Sequence, residues 1–227
     1  MNCQHQRYCP KRLLIFNHQN QTSRQQALPL PIPEPLPPLN ESDAAVTDAM
    51  ADLTGTDPFT EYLVKDQVIS RVVATIDSLT SRQVPAVVNP IKPVGGKFQV
   101  QTDADRMVLS GDNFARYDDY VALLQELNTE DLLAAYQRFS PLFQQAWEEN
   151  GGKGSFIDRL LQVIDELLVT PDPEGLVYLS KPESVYVFDD PELEALSAGQ
   201  KILIRMGSAN ASLVKEKLIV LRSGLSP

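Results

Sequence analysis

Apolar residues recur at helical spacing through most of the chain. The sharpest row is Val68, Val72, Ile76 and Leu79 with Ile69 and Val73 beside it, which predicts a helix from Lys65 to Leu79, with Arg71 and Asp77 outside the rows. Ahead of it, Val46, Met50 and Leu53 predict a helix capped by Ser42 or Asp43 and ended by Gly55, with a break at Asp57-Pro58. A third helix opens at Asp112 or Asn113 and runs through Arg116, Tyr117, Tyr120, Leu124 and Leu127. Asn128 starts a fourth, striped by Leu132, Tyr136, Phe139, Phe143 and Trp147; Pro141 should kink or split it and Gly151-Gly152 ends it. Ser155 with Asp158 caps a fifth, carrying Ile157, Leu160, Leu161, Ile164 and Leu168 and stopped by Pro171 and Pro173. Asp190-Pro191 opens a short helix to Leu196.

Between these rows lie strand-like pieces. Phe98–Val100 and Met107–Leu109 flank TDADR, and Leu176–Leu179 and Val185–Phe188 flank Pro182. Such short pairs must lean on helices to be stable. The last stretch, Ser197 to Leu221, organises the rest. Ile202, Leu203 and Met206 share a face, Gly207 ends the helix, Ser208 caps the next, and Val214, Leu218 and Leu221 continue it until Gly224. The result is an αα-hairpin bearing Lys201, Arg205, Lys215 and Lys217. The fold class is therefore mainly α: a single compact helical domain over residues 40–227, with about seven or eight helices and one or two short β-hairpins. No repeat of solenoid period is present.

Residues 1–39 differ in kind. Residues 1–27 are glutamine-rich and basic (Arg7, Lys11, Arg12, Arg24) without an acid, a composition that predicts disorder. Leu28 to Leu39 carries prolines at 29, 31, 33, 35, 37 and 38, which favour polyproline II. At about 3.1 Å per residue those twelve residues reach roughly 37 Å as a stiff spacer, with docking to an SH3-like partner as the alternative.

Charge and cysteines narrow the chemistry. A formal charge of -10 argues against nucleic-acid binding. No run approaches the ~18 apolar residues of a transmembrane helix. Cys3, Cys9, His5 and His18 are zinc-ligand types, but they lack the usual C-x₂₋₄-C spacing. Both histidines lie in the tail, so the domain has no histidine triad or histidine metal site. Its serines lack a GxSxG context, and Gly95-Gly96 and Gly151-Gly152 lack a following lysine-serine pair, so no catalytic residue, cofactor or metal is assigned. Asp118-Asp119 and Glu148-Glu149 are adjacent acids that diverge on a helix.

Four phrases, LPPLNESDAAV, NFARYDDYVALLQEL, YQRFSPLFQQAWEENG and LEALSAGQKILIRMGSANASLVKEKL, together resemble the bacterial domain of unknown function 3014 family over residues 36–225. The resemblance implies an envelope protein with one N-terminal membrane anchor, a proline-rich spacer and a domain on the periplasmic side. No activity or catalytic residue comes with the family. Residues 1–27 carry no anchor, so either the start as written is misplaced or truncated, or the chain has lost its tether and is soluble and cytoplasmic.

One polar set remains as a candidate anion or partner site: Arg116, Tyr117, Arg205, Asn210 and Lys215. Arginine offers a planar fork to carboxylate or phosphate, and an asparagine near a helix start can donate to it. The structural alternative is an internal network, Arg116 or Arg205 pairing with Asp118 or Glu194. Two function classes follow. One is a non-catalytic, envelope-associated interaction module that binds a protein or an anionic envelope polymer. The other is a carboxylate-dependent hydrolase of envelope material, which needs two acids about 5–9.5 Å apart.

Overall fold

The computed structural model divides the chain into Met1–Pro35 and Leu36–Pro227. It describes residues 35–54 and 62–226. The tail cysteines and histidines, most of the proline run, Gly55 and Asp57-Pro58 lie outside the described residues.

Among the described residues there are nine α-helices: α1 (Asp43–Thr54), α2 (Val68–Ser78), α3 (Gly111–Ala115), α4 (Asp118–Glu126), α5 (Thr129–Glu149), α6 (Phe156–Leu168), α7 (Pro191–Ala195), α8 (Ala198–Arg205) and α9 (Gly207–Leu225). Four strands, β1 (Val100–Asp103), β2 (Arg106–Leu109), β3 (Tyr178–Ser180) and β4 (Val187–Phe188), form one antiparallel sheet in chain order. The two predicted hairpins are thus halves of a single sheet, joined where Met107 faces Leu179 and Val108 faces Tyr178.

The core has two parts. Val46, Val68, Ile69, Val73, Phe139, Leu142, Trp147 and Phe156 knit α1, α2, α5 and α6, and Leu36 and Leu39, from the stretch read as spacer, pack against them. Leu109, Leu179 and Phe188 from the sheet meet Ile204 of α8 in the second. Helix α9 packs on α3, α4, α5, α6 and α8, which makes the last hairpin the bridge between the two parts.

Several helix ends are closed from other elements rather than by their own caps. The Asp43 carboxylate does not cap α1; it accepts the amides of Gln67 and Val68, each at 2.8 Å, and so closes the start of α2. Gln67 has φ 53, a left-handed break that delays α2 from Lys65 to Val68. Ser42 is buried and donates to the Leu39 carbonyl at 2.8 Å. Ser155 holds the N-cap position of α6 without a side-chain bond, and Gln144 of α5 accepts the Phe156 amide at 2.8 Å instead. Arg159 of α6 closes the far end of α2 through the Asp77 carboxylate (2.8 Å) and carbonyl (3.0 Å).

Four further expectations need correction. The third predicted helix is two: Ser110, not Asp112 or Asn113, caps α3, and the i−3 bond from the Tyr117 amide to Phe114 (3.0 Å) tightens the chain before α4. Pro141 does not split α5. The Gln137 carbonyl that loses its amide partner to the proline accepts the Ser140 hydroxyl at 2.9 Å. Ser208 does not cap α9 but donates to Asp172. Gly224 does not stop it; α9 runs to Leu225, and a Cβ on Gly224 would lie 2.2 Å from Leu133 Cδ1, so this glycine permits close approach to α5.

Candidate functional site

The α8–α9 elbow is built by local rules. Ser197 and Gln200 form a reciprocal capping box at the start of α8. Gly207 turns the chain with φ +81, and a Cβ there would sit 2.6 Å from Phe114 Cγ, so the α3 ring lies directly on the elbow. Two asparagines lace α3 to it. Asn113, with no exposed surface, donates to the Arg205 carbonyl (2.8 Å) and accepts from Arg116 (2.7 Å) and the Gln99 amide (3.2 Å). Asn210 donates to the Phe114 carbonyl (3.2 Å), the Met206 carbonyl (3.2 Å) and the Asp118 carboxylate (2.9 Å).

The guanidinium of Arg205 lies 5.9 Å from the Phe98 ring and 5.3 Å from that of Phe188, and donates to the Tyr186 carbonyl at 3.2 Å. Its Nε is buried without a partner. Burial lowers its pKa, opposed by the charge of Glu194 and by Tyr117. Burial raises the Tyr117 phenol, opposed by Arg116 and Arg205. Burial also works to raise Glu194, but the Lys201 hydrogen bond, the Phe188 amide and the charges of Lys201 and Arg205 outweigh it and hold the carboxyl below its ordinary value.

Arg116, Tyr117, Arg205 and Asn210 are therefore brought together around Asn113 and Phe114. Lys215 is not: its ammonium reaches the Thr170 carbonyl (2.6 Å), just past the end of α6. Lys217 donates to the Leu127 carbonyl that ends α4, and Lys201 pairs with Glu194 at 2.8 Å. Arg116 holds the carbonyls of Val94 (3.4 Å), Gly95 (3.0 Å) and Gly96 (3.3 Å) as well as Asn113. Each cation of this cluster donates to protein oxygen. Beside Arg116 an open recess is walled by Lys92, Asp119 and the edge-to-face pair of Tyr62 and Tyr120, whose centroids are 4.9 Å apart.

The acids that share a recess do so with a cation among them. Glu174, Asp189 and Asp190 line one recess, but Arg106 stands among them, bonded to Asp189 at 3.0 Å and lying 3.5 Å over the Tyr178 ring. Glu148 and Glu149 are exposed and accept from Gln144 and Gln145. Among the described residues no group of three or more His, Cys, Asp and Glu could hold a metal ion, and no helix is long and apolar enough to cross a membrane.

One feature escaped sequence reasoning altogether. Between α1, α2, α5, α6 and α9 runs a slot of ≈ 330 Å³ lined by aliphatic and aromatic side chains, with Tyr136 the one residue in its wall that carries a polar side-chain oxygen or nitrogen. Its walls are the rows that periodicity assigns to core, among them Val72, Ile76, Leu160, Ile164, Leu218 and Leu221. Periodicity marks the face that avoids water. Whether facing rows meet depends on distances that spacing does not encode. The small residues Ala49 and Ala135 in the wall are the nearest thing to a signal.

The architecture defines a mainly helical domain with a four-stranded antiparallel sheet at one end of an αα-hairpin. The family model "Protein of unknown function (DUF3014)" matches residues 68–222, more than half of the chain, and the chain belongs to that family. No curated protein and no solved structure matches it.

Proposed function

We propose that this chain is a non-catalytic, envelope-associated interaction module, and that it recognises its partner through the apolar slot rather than through the cation cluster. The observation that carries this reading is a contrast in commitment. Lys201, Arg205, Lys215 and Lys217 all donate to oxygens of the chain itself, whereas the slot walls enclose ≈ 330 Å³ unfilled by any described side chain. A recessed apolar site with few polar groups is the usual form of a binding pocket. Of the two partner classes, a protein or an anionic polymer, pairing of the cations within the chain favours a partner that presents apolar surface. The envelope assignment rests on the family resemblance. The hydrolase reading needs two free acids facing each other across a recess, and where Glu174, Asp189 and Asp190 share one, Arg106 lines it too and is paired with Asp189.

The test is sedimentation of the purified full chain with isolated cell-envelope material. The protein is expected in the pellet, with no reducing sugar, amine or fatty acid released over hours. Steady release of any of these, abolished by Asp189→Asn or Glu174→Gln, would favour the hydrolase.

A further inference from the structure

We infer that the slot is a site for one linear acyl chain of an amphiphile whose polar, uncharged end lies at Tyr136; this deepens the reading above and rests on it. The first ground is chemical. Every wall residue but Tyr136 presents only carbon or thioether, so water entering the slot would find almost no hydrogen-bond partner. Volume is the second. At ≈ 330 Å³ the slot is far larger than a packing defect, and a dry cavity of about 150 Å³ lined by Leu, Ile and Phe already takes up benzene.

Shape favours a chain over a compact ligand. The lining follows α5 from Leu132 to Phe143 and α6 from Phe156 to Leu167. At 1.5 Å per residue each wall is about 16 Å long. A ring system would leave much of that length unfilled, and a single flexible hydrocarbon follows it.

The fourth ground fixes the direction. Tyr136 and Phe156 also line a second recess of ≈ 400 Å³ beside the slot, together with Gln137, Ser140, Gln144 and Ser155. Nothing lining that recess carries a formal charge. Tyr136, its ring centroid 5.4 Å from that of Phe143, lines both spaces, so its phenol is the polar group that the slot and the recess share. Ser140 donates to Gln137 and keeps its lone pairs free to accept. Hydroxyl and amide groups without charge suit an ester or glycerol head better than a bare carboxylate or phosphate.

The experiment is titration of the full chain with a naphthylamine dye that fluoresces in apolar sites, followed by displacement with dodecanoyl glycerol, dodecanoate or dodecanoyl lysophosphatidylglycerol. Saturable one-to-one binding is expected, with dodecanoyl glycerol displacing the dye at a concentration at least fivefold lower than the two anions. Ala135→Phe and Ala49→Leu, which fill the slot from α5 and α1, should each weaken displacement at least tenfold while circular dichroism stays native. Tyr136→Phe should erase the preference for the glycerol head and leave dye binding intact. Overturning results are no saturable displacement by any dodecanoyl compound, or displacement unchanged in both filled variants that retain native dichroism. So are dye uptake that appears only when residues 1–34 are removed, which gives the slot to the chain itself, and a concentration-dependent dimer that excludes the dye, which gives it to a second copy. Equal displacement by all three compounds would overturn the head-group assignment. Envelope sedimentation that persists without acyl binding would sink this inference alone; loss of both would sink the module reading as well.

Discussion

The elbow of α8 and α9 and the slot beneath α9 share one helix and have opposite character. At the elbow the polar side chains are committed to the fold: Asn113 donates to the Arg205 carbonyl and accepts from Arg116, Asn210 donates to the Phe114 carbonyl and Arg205 to that of Tyr186, and the recess beside Gly207 and Phe114 holds only ≈ 150 Å³. In the slot, apolar rows outnumber the side chains that reach across. A dense set of charged residues in sequence thus marks a joint, and an unremarkable set of leucines and valines encloses the space. Buried polar groups need partners, and at the elbow all but the Arg205 Nε find them within the fold. Apolar walls carry no such requirement and can stay apart.

The comparison breaks most severely at Asn113. Asn113→Ala leaves the Arg205 carbonyl, the Gln99 amide and one Arg116 donor unpaired at half-buried positions, opens a gap at a fully buried site, and should cost about 3–4 kcal/mol in urea melts. A cost below ~1 kcal/mol would mean that the elbow is not held this way. Arg205→Ala removes the Tyr186 bond and the packing between Phe98 and Phe188, for about 2–3 kcal/mol. Lys at that position should recover less than half, because an ammonium on a thin stem does not lie flat between two rings.

Gly207→Ala comes next. A left-handed turn with the Phe114 ring 2.6 Å from the new Cβ should cost about 1–2 kcal/mol. An unchanged midpoint would show that Phe114 moves freely.

These effects also measure what the chain reveals before it folds. The rows on α2, α5 and α6, the Asn128 and Asp190 caps and the Gly207 turn were legible because each follows from residues within one or two turns. Asp43 closing α2, Gln144 closing α6 and Lys217 closing α4 were not, since the partners lie 12 to 90 residues away. Ser42, Ser155 and Ser208 were plausible caps by position, yet none supplies one in the fold. The convergence of Arg116, Tyr117, Arg205 and Asn210 was legible in outline, from two polar clusters on stretches assumed to pack together. That Asn113 would be the hub was not, because an asparagine near a helix start has a simpler local use.

The smallest effect is in pH. The Glu194 carboxyl titrates below its ordinary value in the fold, so its contribution with Lys201 and the Phe188 amide is complete above the unfolded carboxylate range, roughly pH 4.3. It is lost as pH falls through the lower folded value. Glu194→Gln should therefore lower stability near neutrality and flatten its decline below that range. An acid limb identical in both proteins would remove Glu194 from the account.

The most direct test sets the two regions against each other in one experiment: thermal midpoint and dye affinity for Arg205→Ala and Ala135→Phe beside the unchanged chain. Arg205→Ala is expected to drop the midpoint by about 4–10 °C and keep its affinity for the dye. Ala135→Phe should keep or raise the midpoint and lose at least tenfold in affinity. The reverse pattern, with Arg205→Ala stable but unable to bind and Ala135→Phe binding as before, would contradict the claim that the cations hold the fold and the slot holds the ligand.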